Sequence, residues 1–119
     1  MRDDQLTPYE NLLAGNHVEA EREYRAIKQS NPSDPAIAEQ RLNQMGYQLL
    51  STSGKTDAAI AVFTLNVEFY PQSWNVYDSL GEALAKKGDK SAAIQKYEQA
   101  LRLNPAAESA KKALQSLKE

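Results

Sequence analysis

Residues 74–105 read WNVYDSLGEALAKKGDKSAAIQKYEQALRLNP, and the order of apolar and small residues in this stretch decides the fold. Tyr77, Leu80, Gly81 and Leu84 fall at i, i+3, i+4 and i+7, which is one face of an α-helix. Gly88 then supplies a residue that tolerates the positive φ of a helix end, so the spacing predicts a helix over about 73–87. Asp89 is placed to cap a second helix, in which Ala93, Ile94, Tyr97, Ala100 and Leu101 form another apolar stripe before Asn104-Pro105 stops it. With little or no side chain at Gly81, Ala93 and Ala100, the two helix axes can approach closely.

The same arrangement recurs along the chain. Gly54, Ala58, Ala59, Ile60, Phe63 and Pro71 reappear 34 residues later as Gly88, Ala92, Ala93, Ile94, Tyr97 and Pro105. An earlier copy, Gly15, Ala20, Tyr24 and Pro32, stands 39 residues before its counterparts. One extra residue before the turn brings Leu42, Met45, Gly46 and Leu49 into register with Tyr77, Leu80, Gly81 and Leu84. The cap-plus-proline pair Asp34-Pro35 is expected to open the helix that leads into Leu42. In the first unit Thr7-Pro8-Tyr9-Glu10 signals a short first helix, and Asn16 with Glu19 fits a capping box for the second. Ala106, Ala110, Ala113, Leu114 and Leu117 share one face of a last helix whose other face is polar, as the end of a stacked array requires. The expectation is one all-α domain over 1–119, with units at 1–34 (truncated), 35–71 and 72–105 and a capping helix over 106–118.

The series Tyr77-x2-Leu80-Gly81-x2-Leu84, then Ala93-x3-Tyr97 and Pro105, resembles the tetratricopeptide repeat. That resemblance implies antiparallel helix pairs stacked as a short right-handed solenoid, whose first helices line a concave, peptide-binding groove. It is close over 74–105 and looser over 40–71, where Asn66 replaces a small residue. The phrases Leu42-Asn43-x2-Gly46-Tyr47, Phe63-x-Leu65-Asn66-Val67-Glu68 and Asn75-Val76-Tyr77-Asp78-Ser79-Leu80-Gly81-Glu82 are also similar to the repeat region that follows the catalytic domain of some bacterial beta-lactamase-like serine hydrolases. This second likeness implies an accessory module beside an adjoining hydrolase domain, and carries no hydrolase activity to this chain.

Composition narrows the function classes. A net charge of -2 argues against a nucleic-acid binder, although residues 86–118 hold eight Lys and Arg against three acids, as the solvated faces of the last helices. There is no cysteine, so no disulfide framework or thiolate metal site. No apolar run approaches the ~20 residues of a membrane span, and Met1-Arg2-Asp3-Asp4 lacks the apolar region of a secretory signal, which predicts a soluble chain. His17 is the only histidine and follows the Asn16 cap, with no nucleophile or orienting acid recognisably beside it. Ser109-Ala110-Lys111-Lys112 satisfies Ser-x-x-Lys without its companion strings. Gly88-Asp89-Lys90-Ser91 lacks the spacing of a phosphate loop. Trp74 and Tyr77 read as packing residues. These readings predict a non-catalytic chain with no cofactor.

Helix geometry then selects a surface. If Leu42, Met45, Gly46 and Leu49 face inward, Asn43, Tyr47 and Leu50 occupy an adjacent strip, as do Asp78, Glu82 and Ala85 in the next unit. With Gln40 and Asn75 these residues form the expected groove, offering amides for a peptide backbone, one ring, and two carboxylates that favour a basic or neutral protein or peptide partner. Asp78 and Glu82, beside Asn75 and Lys86, also speak against a clamp for a terminal carboxylate. Asn66, where a small apolar residue is usual, is expected to be buried and hydrogen-bonded to the helix beginning near Ser73.

Overall fold

A computed structural model describes residues 6–119 and shows an elongated all-α body measuring 53 × 30 × 17 Å, a tetratricopeptide-like helical repeat. Its helices are α1 (Pro8–Leu13), α2 (His17–Ser30), α3 (Glu39–Leu50), α4 (Thr56–Phe69), α5 (Trp74–Lys87), α6 (Lys90–Leu103) and α7 (Glu108–Lys118), with a single 3-10 turn at Pro35–Ile37. The opening Met1-Arg2-Asp3-Asp4 lies outside the described residues. Helices adjacent in sequence lie against one another from α3 to α7, and α2 lies against both α1 and α4.

Local chemistry accounts for the helix ends. Gly88 adopts φ +98°; its N–H donates to the carbonyls of Leu84 and Ala85, and that of Asp89 to Leu84, which satisfies the last turn of α5. One residue on, the Asp89 carboxylate accepts from the Ala92 N–H at 3.3 Å and caps α6. Thr7 and Glu10 form the reciprocal capping box expected at α1, with bonds of 3.1 and 2.8 Å.

Two expected helix starts differ. Asp34-Pro35 opens only the 3-10 turn, and α3 begins at Glu39. The Asp34 carboxylate accepts from Ala36 N–H, Ala38 then turns extended at ψ 145°, and the Ile37 carbonyl accepts from the Tyr70 hydroxyl at 2.6 Å. Ile37, fully buried, is thereby a core plug rather than a helical residue. Asn16 precedes α2 without a side-chain cap bond, because its amide donates to Asn11 Oδ1 while Glu19 pairs with Arg22.

What brings the helix pairs together is a ring seated on a glycine. A Cβ on Gly46 would lie 2.2 Å from Cε1 of Phe63, so α4 approaches α3 where α3 has no side chain. Tyr97 of α6 rests on Gly81 of α5 in the same way, with ring carbons 3.0 Å from such a Cβ. Phe63 is fully buried, and Tyr47 meets it edge-on at 5.1 Å, so its ring has nowhere to swing. Between the pairs, α5 divides its buried face between two clusters. Leu80 and Ala83 join the core of the first four helices, while Val76 and Tyr77 join Ala93, Tyr97, Ala100, Ala107 and Ala110.

Asn66 is fully buried, but its amide donates to the Glu39 carbonyl at 3.1 Å, in the first turn of α3, and not to α5 as expected. Its reach is set by position: α4 runs back along α3, so its last turns lie beside the start of that helix. The link to the next unit passes through Glu39 itself, whose carboxylate accepts from the Ser73 hydroxyl at 2.6 Å. Asn66 Oδ1 has no partner among the described residues.

Two stability outcomes follow from these contacts. Gly46→Ala is expected to destabilise the chain by about 1–3 kcal/mol despite the better helix propensity of alanine, and Gly81→Ala by less, as measured by urea denaturation. Equal midpoints for Gly46→Ala and the parent would show that the ring contact does not set the helix spacing. Asn66→Ala is expected within about 1 kcal/mol of the parent, because deleting the amide also removes an unpaired buried acceptor, whereas losing a fully paired one leaves a partner stranded. A loss well beyond that in the same titration contradicts the account.

Candidate functional site

The helices that open each pair, α3 and α5, and the final α7 present one continuous strip, and polar side chains stitch it together. The Ser79 hydroxyl donates to Asn43 Oδ1 at 2.6 Å, and the Tyr47 hydroxyl to Glu82 Oε1 at 2.9 Å. From α7, the Ser109 hydroxyl donates to Asp78 Oδ2 at 3.1 Å. Lys86 Nζ donates to the Leu50 carbonyl at 2.6 Å. Of the eight sequence-selected residues, Gln40, Asn43 and Asn75 line one cavity of about 530 Å³ together with Ala38, Glu39, Arg41 and Gln44. Tyr47, Asp78 and Glu82 continue the strip toward α7. Ala85 is half-buried and packs in the second core cluster. Leu50 departs from the expectation: its side chain is buried in the core, and only its carbonyl, already held by Lys86, reaches the strip.

Sequence reasoning passed over Ser79 and Ser109. Ser79 stands 36 residues after its partner Asn43, close to the repeat period, so a search for polar pairs at that offset finds it. Ser109 carries no such signal, since it stands 31 residues after Asp78, off the repeat period. It is a donor to Asp78, while Lys111 of the same Ser-x-x-Lys string pairs with Glu108. Of Gly88-Asp89-Lys90-Ser91, the first two residues form the capped turn between α5 and α6 and the last two begin α6. Tyr77 donates to the Pro71 carbonyl and Trp74 packs in the second cluster. Among the described residues no group of His, Cys, Asp or Glu is arranged to hold a metal ion, and no helix is long and apolar enough to cross a membrane.

Residues 74–107 match the tetratricopeptide repeat family. This repeat comprises α5, α6 and the turn into α7, and contributes Asn75, Asp78 and Glu82 to the strip. Tetratricopeptide repeats build protein–protein interaction modules and are generally non-catalytic. No curated protein matches the chain, and the narrower likeness to repeats beside serine hydrolase domains finds no support in these comparisons.

The electrostatics of the repeat's inner face are unbalanced. Burial raises the Asp78 carboxyl above its ordinary range, and the like charge of Glu82 adds to the rise, against the Ser109 hydroxyl bond that lowers it. Burial also pushes the Tyr47 phenol up to about 12. Among the described residues no cation pairs with Asp78 or Glu82, since Lys86, one turn beyond Glu82, is directed to the Leu50 carbonyl instead.

A raised carboxyl pKa means that ionised Asp78 opposes folding above its folded-state pKa, and that the opposition fades as pH falls through that value toward the unfolded one. Asp78→Asn, which keeps an acceptor for Ser109, is therefore expected to stabilise the chain at pH 7 by roughly 0.5 kcal/mol, the scale of partly exposed charge effects. In urea titrations from pH 7 to 4 this advantage should shrink. An advantage that grows on acidification has the wrong sign and refutes the assignment.

Proposed function

We propose that this chain is a non-catalytic scaffold that binds an extended, basic or neutral peptide segment along the strip formed by α3, α5 and α7. The observation that carries the reading is the division of labour along that strip. Asn43, Tyr47 and Asp78 are fixed by bonds to neighbouring repeats, whereas Gln40 and Asn75 line an open cavity with no side-chain bond to a described residue. An unengaged amide beside an open cavity can pair with both the N–H and C=O of a peptide backbone. Arg41 and Glu39 at the cavity end leave it near neutral, and the uncompensated carboxylates lie farther along, at Asp78 and Glu82.

The test is selection of peptides on the folded chain, followed by titration of the selected sequence. Gln40→Ala and Asn75→Ala are each expected to weaken binding by about 5-fold or more, as truncation at an interface core does, with unchanged urea midpoints. Lys96→Ala, on α6 and away from the strip, is the control. If it weakens binding as much as the strip variants, the ligand sits elsewhere.

A further inference from the structure

Within the proposed groove, and resting on that reading, we infer that the notch beside Gly81 is a subsite for one cationic side chain of the bound peptide, a lysine or an arginine, held by Asp78, Glu82 and the Tyr97 hydroxyl.

The molecule contains its own comparison. In the second unit the glycine is followed by Tyr47 and covered by Phe63, and the two rings meet at 5.1 Å in an apolar contact. In the third unit the same places hold Glu82 and Tyr97. The exchange puts a carboxylate and a phenol where the neighbouring unit has two rings. Tyr97 is only 4% exposed, the far end of its ring rests on Gly81, between Asp78 and Glu82 in sequence, and its hydroxyl makes no hydrogen bond to a described residue. Burial raises the pKa of the phenol, and both carboxylates and Tyr47 lie close enough to add to the rise electrostatically. The ring is nearly buried while its hydroxyl keeps some access to the surface, so it offers a polar atom there that a purely structural ring, such as Phe63, does not.

The carboxylates are arranged for the same purpose. Asp78 and Glu82 are one turn apart on α5, a spacing at which like charges repel. Each is oriented by one hydroxyl, Ser109 on Asp78 Oδ2 and Tyr47 on Glu82 Oε1, and each keeps its second oxygen free of a described donor. Two oriented acceptor oxygens plus a phenol oxygen offer three acceptors, which matches the three donors of an ammonium group and part of the donor fork of a guanidinium. An anion is repelled by both charges, and a neutral amide leaves both unneutralised.

The probes are two pools of eight-residue peptides, randomised except for a fixed central residue, lysine in one and its uncharged isostere norleucine in the other. The folded 119-residue chain is expected to retain the lysine pool at least about 10-fold better, the scale of a charge-assisted hydrogen bond. Asp78→Asn and Glu82→Gln should each remove most of that preference. Tyr97→Phe, which installs the ring already used at Phe63, should reduce it about 3-fold, the loss of one modest hydrogen bond, without lowering the urea midpoint. Glu21→Gln on α2, an equal loss of charge away from the strip, should leave it unchanged. Equal retention of the two pools, with binding still sensitive to Gln40→Ala, overturns the subsite and leaves the groove standing. A preference that survives both carboxylate changes, or is equally lost in Glu21→Gln, overturns it as diffuse attraction. Failure of both pools to bind the parent overturns subsite and groove together.

Discussion

Everything in this molecule is spaced by two aromatic rings set into gaps where a helix has no side chain. Phe63 on Gly46 and Tyr97 on Gly81 fix how near α4 comes to α3 and α6 to α5. A methyl group at either glycine would meet the ring, so the short distance requires both partners at once. Because protein interiors are close-packed and resist small displacements, that distance propagates to the faces the paired helices present to their neighbours. The position of the candidate strip is thus a consequence of how these core rings space α3 and α5.

On top of this apolar spacing lies a polar register. Ser73 bonds Glu39, Ser79 bonds Asn43, Tyr47 bonds Glu82 and Lys86 bonds the Leu50 carbonyl, at separations of 34 to 36 residues. Each such bond contributes only about 0.5–1.5 kcal/mol net, and together they choose one sliding position of α5 along α3. The groups spent on register are constrained in what else they can hold. Those without a bond to a described residue, the Gln40 and Asn75 amides and the second oxygens of Asp78 and Glu82, are the ones the proposed peptide would engage.

The sequence made the third unit legible almost to the residue, because its helix ends rest on local chemistry: Gly88 at positive φ, Asp89 as a cap and a proline after Asn104. It failed at α3, where Asp34-Pro35 carries a good start signal but Ile37 is drawn into the core and its carbonyl taken by Tyr70, 33 residues away. No local pattern reports a tertiary bond of that kind. The strip was legible as a helical face, and Gln40, Asn43 and Asn75 do meet at one cavity. Leu50 was misplaced because a one-residue step along a helix turns by 100°, enough to put an apolar side chain into whichever neighbouring core will take it. Donors from α7 and the unpaired Tyr97 hydroxyl depend on contacts that single-helix patterns do not contain.

The first unit shows how an array of this kind is closed sideways when its period is broken. Gly54 follows Pro32 by 22 positions, whereas Gly88 follows Pro71 by 17, and most of the excess is taken up by the 3-10 turn and the extended Ala38. With that insertion, α2 comes to lie along α4. The residues of α4 respond in kind. Ala61 and Leu65 are buried on the side where Arg25 pairs with Glu68 and Lys28 sits 5.5 Å from the Phe69 ring, while the equivalent residues of α6, Gln95 and Gln99, are polar. This is why α4 is apolar nearly all round and α6 is not. The ion pair is exposed and the cation–π contact half-buried, and each is individually worth about 1 kcal/mol. Burial of Leu65, Ala61 and Ile37 therefore holds the first unit in place, and the charged pairs select the angle at which it docks.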